Sequence, residues 1–119
     1  LEGRDAVMRV VKHASIEAVE RLREATDSLL EAFAAGQERA LAVGVPYLNL
    51  CGFVLGGWLM AKSAAIADLK RAASEREFYA AKLASTRFYA QQILPRALAL
   101  ARIVQSGAGS VTDSDAALI

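Results

Sequence analysis

The amino-acid sequence predicts an all-α fold, a helical bundle of three to four long helices with one or two of them kinked at proline. Hydrophobic residues make up 55% of the 119 residues, and there are two prolines. Alanine is abundant, and alternating or β-branched runs are few, which favours helices over strands. A chain of this length buries roughly 60 to 70% of the surface that it exposes when unfolded, which is enough for one domain.

The first predicted helix covers residues 5–35. Apolar side chains recur in it at spacings of three and four residues, which places them on one face: Val7, Val11, Ala14, Ala18, Leu22, Ala25, Leu29 and Phe33. Gly36 is the predicted end of this helix, because glycine enters the left-handed conformation at low cost.

A second helical region is predicted over residues 38–73, with its main helix starting near Pro46, since proline disfavours helix in the residue before it. From Pro46 to Ala61 every residue except Asn49 is apolar or glycine. A helix without a polar face belongs in the centre of a bundle, so we expect this one to be buried all round. Beyond Lys62 the pattern becomes amphipathic, and it turns Ile66 and Leu69 away from solvent.

A third helix begins at the capping-box pattern of residues 74–77, Ser-Glu-Arg-Glu. Its predicted buried face continues through Pro95, where we expect a kink, and comprises Tyr79, Leu83, Thr86, Ala90, Leu94, Ala97, Ala101 and Val104. Glycines in residues 107–110 predict the end of regular structure. The domain therefore spans residues 1–110, of which 1–14 could be a connecting helix, and residues 111–119 form a mobile tail.

Composition and isolated residues exclude several classes of function. With 14 basic and 13 acidic residues dispersed along the chain, no basic stripe is available for nucleic acid. His13 has no second histidine and no nearby cysteine, so we predict a surface residue and no metal site. Cys51 is the only cysteine and lies in an apolar run, which predicts a buried, inert thiol in a reducing compartment, and therefore a cytoplasmic protein.

No catalytic motif is present in the sequence, so we assign no catalytic residue. Lys82 and Arg87 lie close to the aromatic residues Phe78, Phe88 and Tyr89. The arginine, which lies beside Phe88 and Tyr89, could bind a coenzyme phosphate or pair with a carboxylate across an interface. Solvated surface charges are the favoured interpretation, because a phosphate site also uses helix N-termini or glycine-rich loops.

The apolar second helix carries the candidate packing or interface residues, which also include Tyr47. Gly52 and Gly56 form a small-xxx-small pair that allows close helix approach, either within the domain, which we favour, or against another subunit. Trp58 could anchor the same contact, although core packing is the commoner role. Residues 40–61 are long enough to cross a bilayer, but four glycines, a proline and an asparagine dilute their hydrophobicity, so a soluble helix is favoured.

Two blocks carry a resemblance to a known family: residues 46–61, PYLNLCGFVLGGWLMA, and residues 78–95, FYAAKLASTRFYAQQILP. In this order and at this separation they resemble the C-terminal helical domain of acyl-CoA dehydrogenases in the 3-methylmercaptopropionyl-CoA dehydrogenase-like branch. The likeness covers roughly residues 15–110. Because the sequence starts at Leu1 without an initiator methionine, we expect a piece of a longer polypeptide.

The resemblance implies a structural or assembly domain, with no cofactor of its own, in an FAD-dependent enzyme that dehydrogenates an acyl-CoA at the α,β position. The implied partners are the dehydrogenase core of the same polypeptide, further copies in a homo-oligomer, and an acyl-CoA substrate of the full-length enzyme. The alternatives are a free-standing helical dimerisation module, whose glycine-lined helix meets its twin, and a small membrane-associated protein.

Overall fold

The computed structural model describes residues 2–70 and 76–112 of the chain, all but a few of which are helical. Helix α1 spans Glu2–Ala35, α2 Gln37–Ala42, α3 Gly44–Lys70, α4 Arg76–Phe88 and α5 Leu94–Thr112, with a π-helical turn at Tyr89–Ile93 joining α4 to α5. These described elements confirm the predicted all-α bundle. Helix α1 packs on α3 and α5, and α3 also packs on α4 and α5.

The main core lies where α1, α3 and α5 meet, and its buried residues are spaced as helix packing requires. They are Val11, Ala18, Ala25, Val43, Leu50, Val54, Ala90, Leu94, Ala97, Ala101 and Val104. Small side chains dominate this list, which allows the helices to approach closely. The predicted apolar face of α1 is confirmed except at its end, where Phe33 is 61% exposed and does not belong to this core.

Helix α1 ends at the predicted place but by a different conformation. Gly36 has φ 162° and ψ 135°, an extended backbone instead of the left-handed one expected. Its amide still donates to the carbonyl of Ala32 at 3.0 Å, which closes the last turn. The conformational freedom of glycine is therefore not what stops α1.

Helix α3 starts close to Pro46, as predicted, because its first residue is Gly44. Pro46 thus lies in the first turn, where its missing amide hydrogen removes no helical bond. The Tyr47 amide is the first to donate back, to the carbonyl of Val43 at 3.0 Å. The short α2 before it accounts for the early part of the predicted region, whereas residues 71–73 lie outside the described residues.

The interruption predicted at Pro95 takes the form of the π-helical turn at Tyr89–Ile93. Proline has no amide hydrogen and its ring crowds the carbonyl four residues earlier, so the helix widens just before it. The buried face continues through this turn: seven of its eight predicted residues are buried, among them Thr86, which is 1% exposed. The eighth residue, Tyr79, is half-buried.

The end predicted at residues 107–110 is wrong, since α5 runs through both glycines to Thr112. Gly107 packs near Val43, whose Cγ1 would lie 3.3 Å from an added Cβ. Tertiary contact here outweighs the low helix propensity of glycine. Ser74 and Glu75 of the predicted capping box, and residues 113–119 of the predicted tail, lie outside the described residues.

Candidate docking surface on helix α3

Helix α3 has two apolar faces, and only one of them is buried. Its inner face packs against the bundle through Leu50, Val54, Gly57, Ala64 and Ala67. The opposite side is open, so the prediction that α3 lacks a solvent face and is central to the bundle is wrong. Because α1, α4 and α5 all pack on the inner side, the described part of the chain provides nothing to cover the other.

We call the open side the outer face of α3 and define it by eight exposed positions: Val45, Leu48, Gly52, Leu55, Leu59, Lys62, Ile66 and Leu69. Exposure of its six large apolar side chains runs from 51% at Leu59 to 83% at Leu69. Successive positions are three or four residues apart in strict alternation, so the seven steps from Val45 to Leu69 cover 24 residues, about 3.4 residues each. This is the spacing of a surface built to pack against another helix.

Ile66 and Leu69 belong to the outer face, contrary to the prediction that they point inward. The residues that are buried in this part of α3 are Ala64 and Ala67, which form a second small cluster with Leu83 of α4. Alanine allows α4 to approach more closely than isoleucine or leucine would. Side-chain hydrophobicity alone therefore gave the wrong face.

The glycine pair of α3 divides between two environments. At Gly52 an added Cβ would meet nothing within 4 Å, so this glycine leaves a shallow gap in the outer face. At Gly56 an added Cβ would lie 2.5 Å from the hydroxyl oxygen of Tyr89. Gly57, which the sequence analysis did not single out, is similarly closed off by Leu94, whose Cδ2 would lie at 2.9 Å.

Tyr89 binds the α3 backbone where the bundle helix changes to its π-helical turn. Its hydroxyl donates to the carbonyl oxygen of Phe53 at 2.7 Å. Burial against α3 raises the pKa of this hydroxyl above the ordinary value of 10.0, because the charged form is poorly solvated there. The absence of a side chain at Gly56 makes room for the ring, so Gly56 and Tyr89 form one packing unit.

Two other predicted residues of α3, Trp58 and Tyr47, lie on different sides of the helix. Trp58 is 51% exposed, and the Lys62 Nζ lies 4.5 Å from the centre of its ring, a cation–π contact. Tyr47 points the opposite way, into the bundle, where its hydroxyl and the Thr26 Oγ1 share a hydrogen bond of 2.8 Å. Tyr47 thus joins α3 to α1 and is not available for docking.

The remaining predicted residues lie on α4. Phe78 and Phe88 are each 59% exposed, and Arg87 is exposed as well. The Phe78 ring meets Tyr79 edge to face, with 5.3 Å between the ring centres. Lys82 is half-buried, and its carbonyl accepts a hydrogen bond from the Thr86 hydroxyl at 2.9 Å. Both phenylalanine rings are therefore on the outside of the domain.

The single cysteine and the single histidine differ in exposure. Cys51 is half-buried rather than buried, because it lies at the edge of the outer face. His13 is exposed, as predicted. It lines a cavity of about 350 Å³ between α1 and α5, together with Arg9, Glu17 and apolar side chains. Within residues 2–70 and 76–112, no three His, Cys, Asp or Glu side chains converge as metal ligands.

By length and composition, one helix of the described residues could cross a membrane: Gly44–Ala67 in α3, of which 28% of the most apolar window is buried. This criterion is a weak one, because core helices of soluble proteins also meet it. The low buried share means that the domain itself leaves most of this apolar helix uncovered.

Comparison with known proteins assigns the chain to a family. The family model described as "Acetyl-CoA dehydrogenase C-terminal like" matches residues 4–115. The chain belongs to this family. A curated relative, 3-methylmercaptopropionyl-CoA dehydrogenase of Ruegeria pomeroyi (strain ATCC 700808 / DSM 15171 / DSS-3), is 32% identical to it over 115 residues.

The matched region is 95% of this chain but 19% of that relative, so the chain spans about a fifth of the relative's length. The resemblance recognised in residues 46–61 and 78–95 is thereby confirmed, and the chain is a C-terminal domain of the acyl-CoA dehydrogenase kind. The family match also includes residues 4–14, where the resemblance drawn from the sequence did not reach. The outer face of α3 is therefore an exposed apolar surface on a domain of this family.

Proposed function

We propose that this domain serves assembly in an FAD-dependent acyl-CoA dehydrogenase, and that the outer face of α3 is covered by protein in the assembled enzyme. The full-length enzyme removes hydrogen from the α and β carbons of an acyl-CoA, and the domain itself catalyses nothing. The outer face carries this proposal. It is a long surface that is apolar at every position except Lys62, and exposed apolar surfaces of this kind mark interaction sites on soluble proteins.

The described residues do not fit a flavin dinucleotide. The pyrophosphate of such a cofactor is usually held at a helix N-terminus, beside glycines that let the backbone approach. Helix α3 does begin at a glycine, Gly44, but its start is surrounded by the exposed apolar side chains of Leu41, Val45 and Leu48. An apolar rim does not compensate two phosphate charges. The start of α3 is therefore no site for this cofactor, and we propose that FAD is held elsewhere in the full-length enzyme.

Protein is a better cover for the outer face than a lipid bilayer. Val19 of α1 and Trp58 of α3 line one small cavity, and Thr26 bonds to Tyr47, so residues 19–26 of α1 lie alongside α3. This stretch carries the half-buried ion pair Arg21–Glu24 at 3.1 Å and the exposed ion pair Arg23–Glu20 at 3.3 Å. Inserting α3 into a bilayer would draw these charges into hydrocarbon, which is costly. A cytoplasmic enzyme is the consistent proposal.

The test uses the full-length protein that contains these 119 residues. Purified anaerobically, it should show flavin absorbance, and a series of acyl-CoA thioesters of increasing chain length should bleach that absorbance as the flavin is reduced. The matched control is the same protein with free fatty acids, which should leave the spectrum unchanged. A colourless protein, or a flavin that no acyl-CoA reduces, would contradict the proposal.

A further inference from the structure

We propose that the outer face of α3 pairs with the same face of a second copy of this chain, and that the two α3 helices run antiparallel. This inference rests on the proposed function in one respect, namely that the outer face is covered by protein in the assembled enzyme. It goes further by naming the protein that covers it and the residues that meet.

The spacing of the outer face is the first argument. From Val45 to Leu69 the steps are three, four, three, four, three, four and three residues. This series reads the same from either end, so a copy that runs in the opposite direction presents a matching series of side chains. Alternating steps of three and four are also the pattern by which side chains of one helix fit between those of another. A flat partner surface would not require them.

The second argument concerns the two positions that are not large and apolar, Gly52 and Lys62. In the antiparallel register that aligns the two series, Val45 faces Leu69 of the second copy and Leu48 faces Ile66. In the same register Leu55 faces Leu59, and Gly52 faces Lys62. The gap at Gly52, where nothing lies within 4 Å, thus receives the methylene chain of the lysine. Gly52 of each copy therefore faces Lys62 of the other copy, so the two positions that are not large and apolar meet each other.

Charge distinguishes antiparallel from parallel pairing. A parallel pair in register would set Lys62 against Lys62 of the second copy and Gly52 against Gly52, which combines like-charge repulsion with an unfilled gap. In the antiparallel pair the two ammonium groups are separated along the helix axis. Each lies over the Trp58 ring of its own chain, 4.5 Å from the ring centre, at the edge of the contact. Of these two arrangements, the antiparallel one is therefore the one that accommodates Lys62.

The area of the outer face determines whether the pair is stable by itself or only within the assembled enzyme. The 24 residue steps from Val45 to Leu69 span about 36 Å, and a helix presents a strip about 10 Å wide. Two such strips bury roughly 700 Å² together, less than the about 1,200 Å² at which stable interfaces begin. The α3 pair therefore needs the further contacts of the assembled enzyme, and its test belongs in the full-length protein.

Cross-linking in the full-length protein tests the register. Two differently tagged versions, one with Leu55→Cys and the other with Leu59→Cys, are co-expressed, treated with a short bifunctional thiol reagent and mapped by mass spectrometry. We expect a link between position 55 of one copy and position 59 of the other in mixed dimers. The matched control, Phe33→Cys, is 61% exposed in the domain but off the outer face, and should give no link between copies.

Three results would overturn the pairing. A link from position 55 to position 55 as the main product would show parallel helices, and a link to another segment of the polypeptide would show that the rest of the enzyme covers α3. The absence of any link at positions 55 and 59 would show that no helix of a second copy lies there. Flavin content and bleaching by acyl-CoA are measured on the same samples. A yellow, reducible protein without the predicted link refutes the pairing and leaves the proposed function standing.

Discussion

The hydroxyl of Tyr89 donates a 2.7 Å hydrogen bond to the carbonyl oxygen of Phe53, and the ring reaches it by passing over Gly56. The contact joins the π-helical turn before Pro95 to the middle of α3. The missing side chain at Gly56 leaves space for the ring. The contact holds α3 in place on its inner side while its outer face stays open.

The space at Gly56 predicts that Gly56→Leu destabilises the domain. The new Cβ would lie 2.5 Å from the Tyr89 hydroxyl oxygen, so the ring must move and its hydrogen bond is lost. We expect the free energy of unfolding to fall by about 1–3 kcal/mol, as for other overpacked sites. Gly52→Leu is the matched control, because its Cβ meets nothing within 4 Å. It should raise stability by up to about 1 kcal/mol, since leucine is the better helix former.

Chemical denaturation of the dilute 119-residue chain measures both changes. Equal effects at the two glycines would mean that Tyr89 does not occupy the space beside Gly56.

The raised pKa of Tyr89 predicts a loss of stability at high pH. Its folded-state pKa lies above the unfolded value near 10.0, so the folded state binds the proton more tightly. The resulting stabilisation is fully present below pH 10 and is lost as the pH rises through the folded-state pKa. Tyr89→Phe lacks this group, so the stability difference between wild type and variant should shrink above pH 10. A constant difference from pH 8 to pH 11, measured by denaturation, would refute the burial of this hydroxyl.

The bond between Tyr47 and Thr26 predicts an energetic coupling between α1 and the start of α3. The two hydroxyl oxygens are 2.8 Å apart, and the Thr26 Oγ1 also bonds the Leu22 carbonyl at 2.8 Å. A double-mutant cycle with Tyr47→Phe and Thr26→Val should give an interaction of about 0.5–1.5 kcal/mol. Tyr79→Phe combined with Thr26→Val serves as the control pair and should be additive. Additivity in the first cycle as well would mean that the hydroxyls do not meet.

The two faces of α3 predict that the same substitution, leucine to alanine, changes stability by very different amounts. Leu50 is 0% exposed in the core, so Leu50→Ala should cost about 2–5 kcal/mol of unfolding free energy. Leu55 is 57% exposed, so Leu55→Ala should change the free energy of unfolding of the 119-residue chain, in dilute solution, by no more than about 0.5 kcal/mol. Thermal or denaturant unfolding of both variants checks this. A large loss at Leu55 would mean that the outer face is buried within a single copy.

The sequence predicted the inner architecture well where one apolar stripe faces one charged side. This holds for α1 and for the face that runs from Leu83 to Val104, because a helix with a single stripe has only one way to bury it. The prediction failed for α3, because apolar residues lie all around this helix and no charged side separates its inner face from its outer face. Burial of Ala64 and Ala67 in preference to Ile66 and Leu69 depends on how closely α4 approaches, which hydrophobicity does not encode.

The outer face of α3 could have been predicted from the sequence. The three-and-four alternation from Val45 to Leu69 is present in the sequence, but it is hidden because the intervening positions are apolar too. Gly57 and the bond from Tyr89 to Phe53 left no such signal, because each depends on a neighbour distant in the chain. Assignment of the domain to acyl-CoA dehydrogenases came from whole blocks of sequence, and no single residue carries it.

Hydroxyl-radical footprinting of the native full-length protein tests most directly whether the outer face of α3 is covered. Labelling is compared between Leu55, which is 57% exposed in the domain, and Leu50, which is 0% exposed, within one sample. If protein covers the outer face, Leu55 will be labelled as weakly as Leu50, and both will become strongly labelled after unfolding in urea. Labelling of Leu55 several-fold above that of Leu50 in the native enzyme would show an open surface and contradict the account.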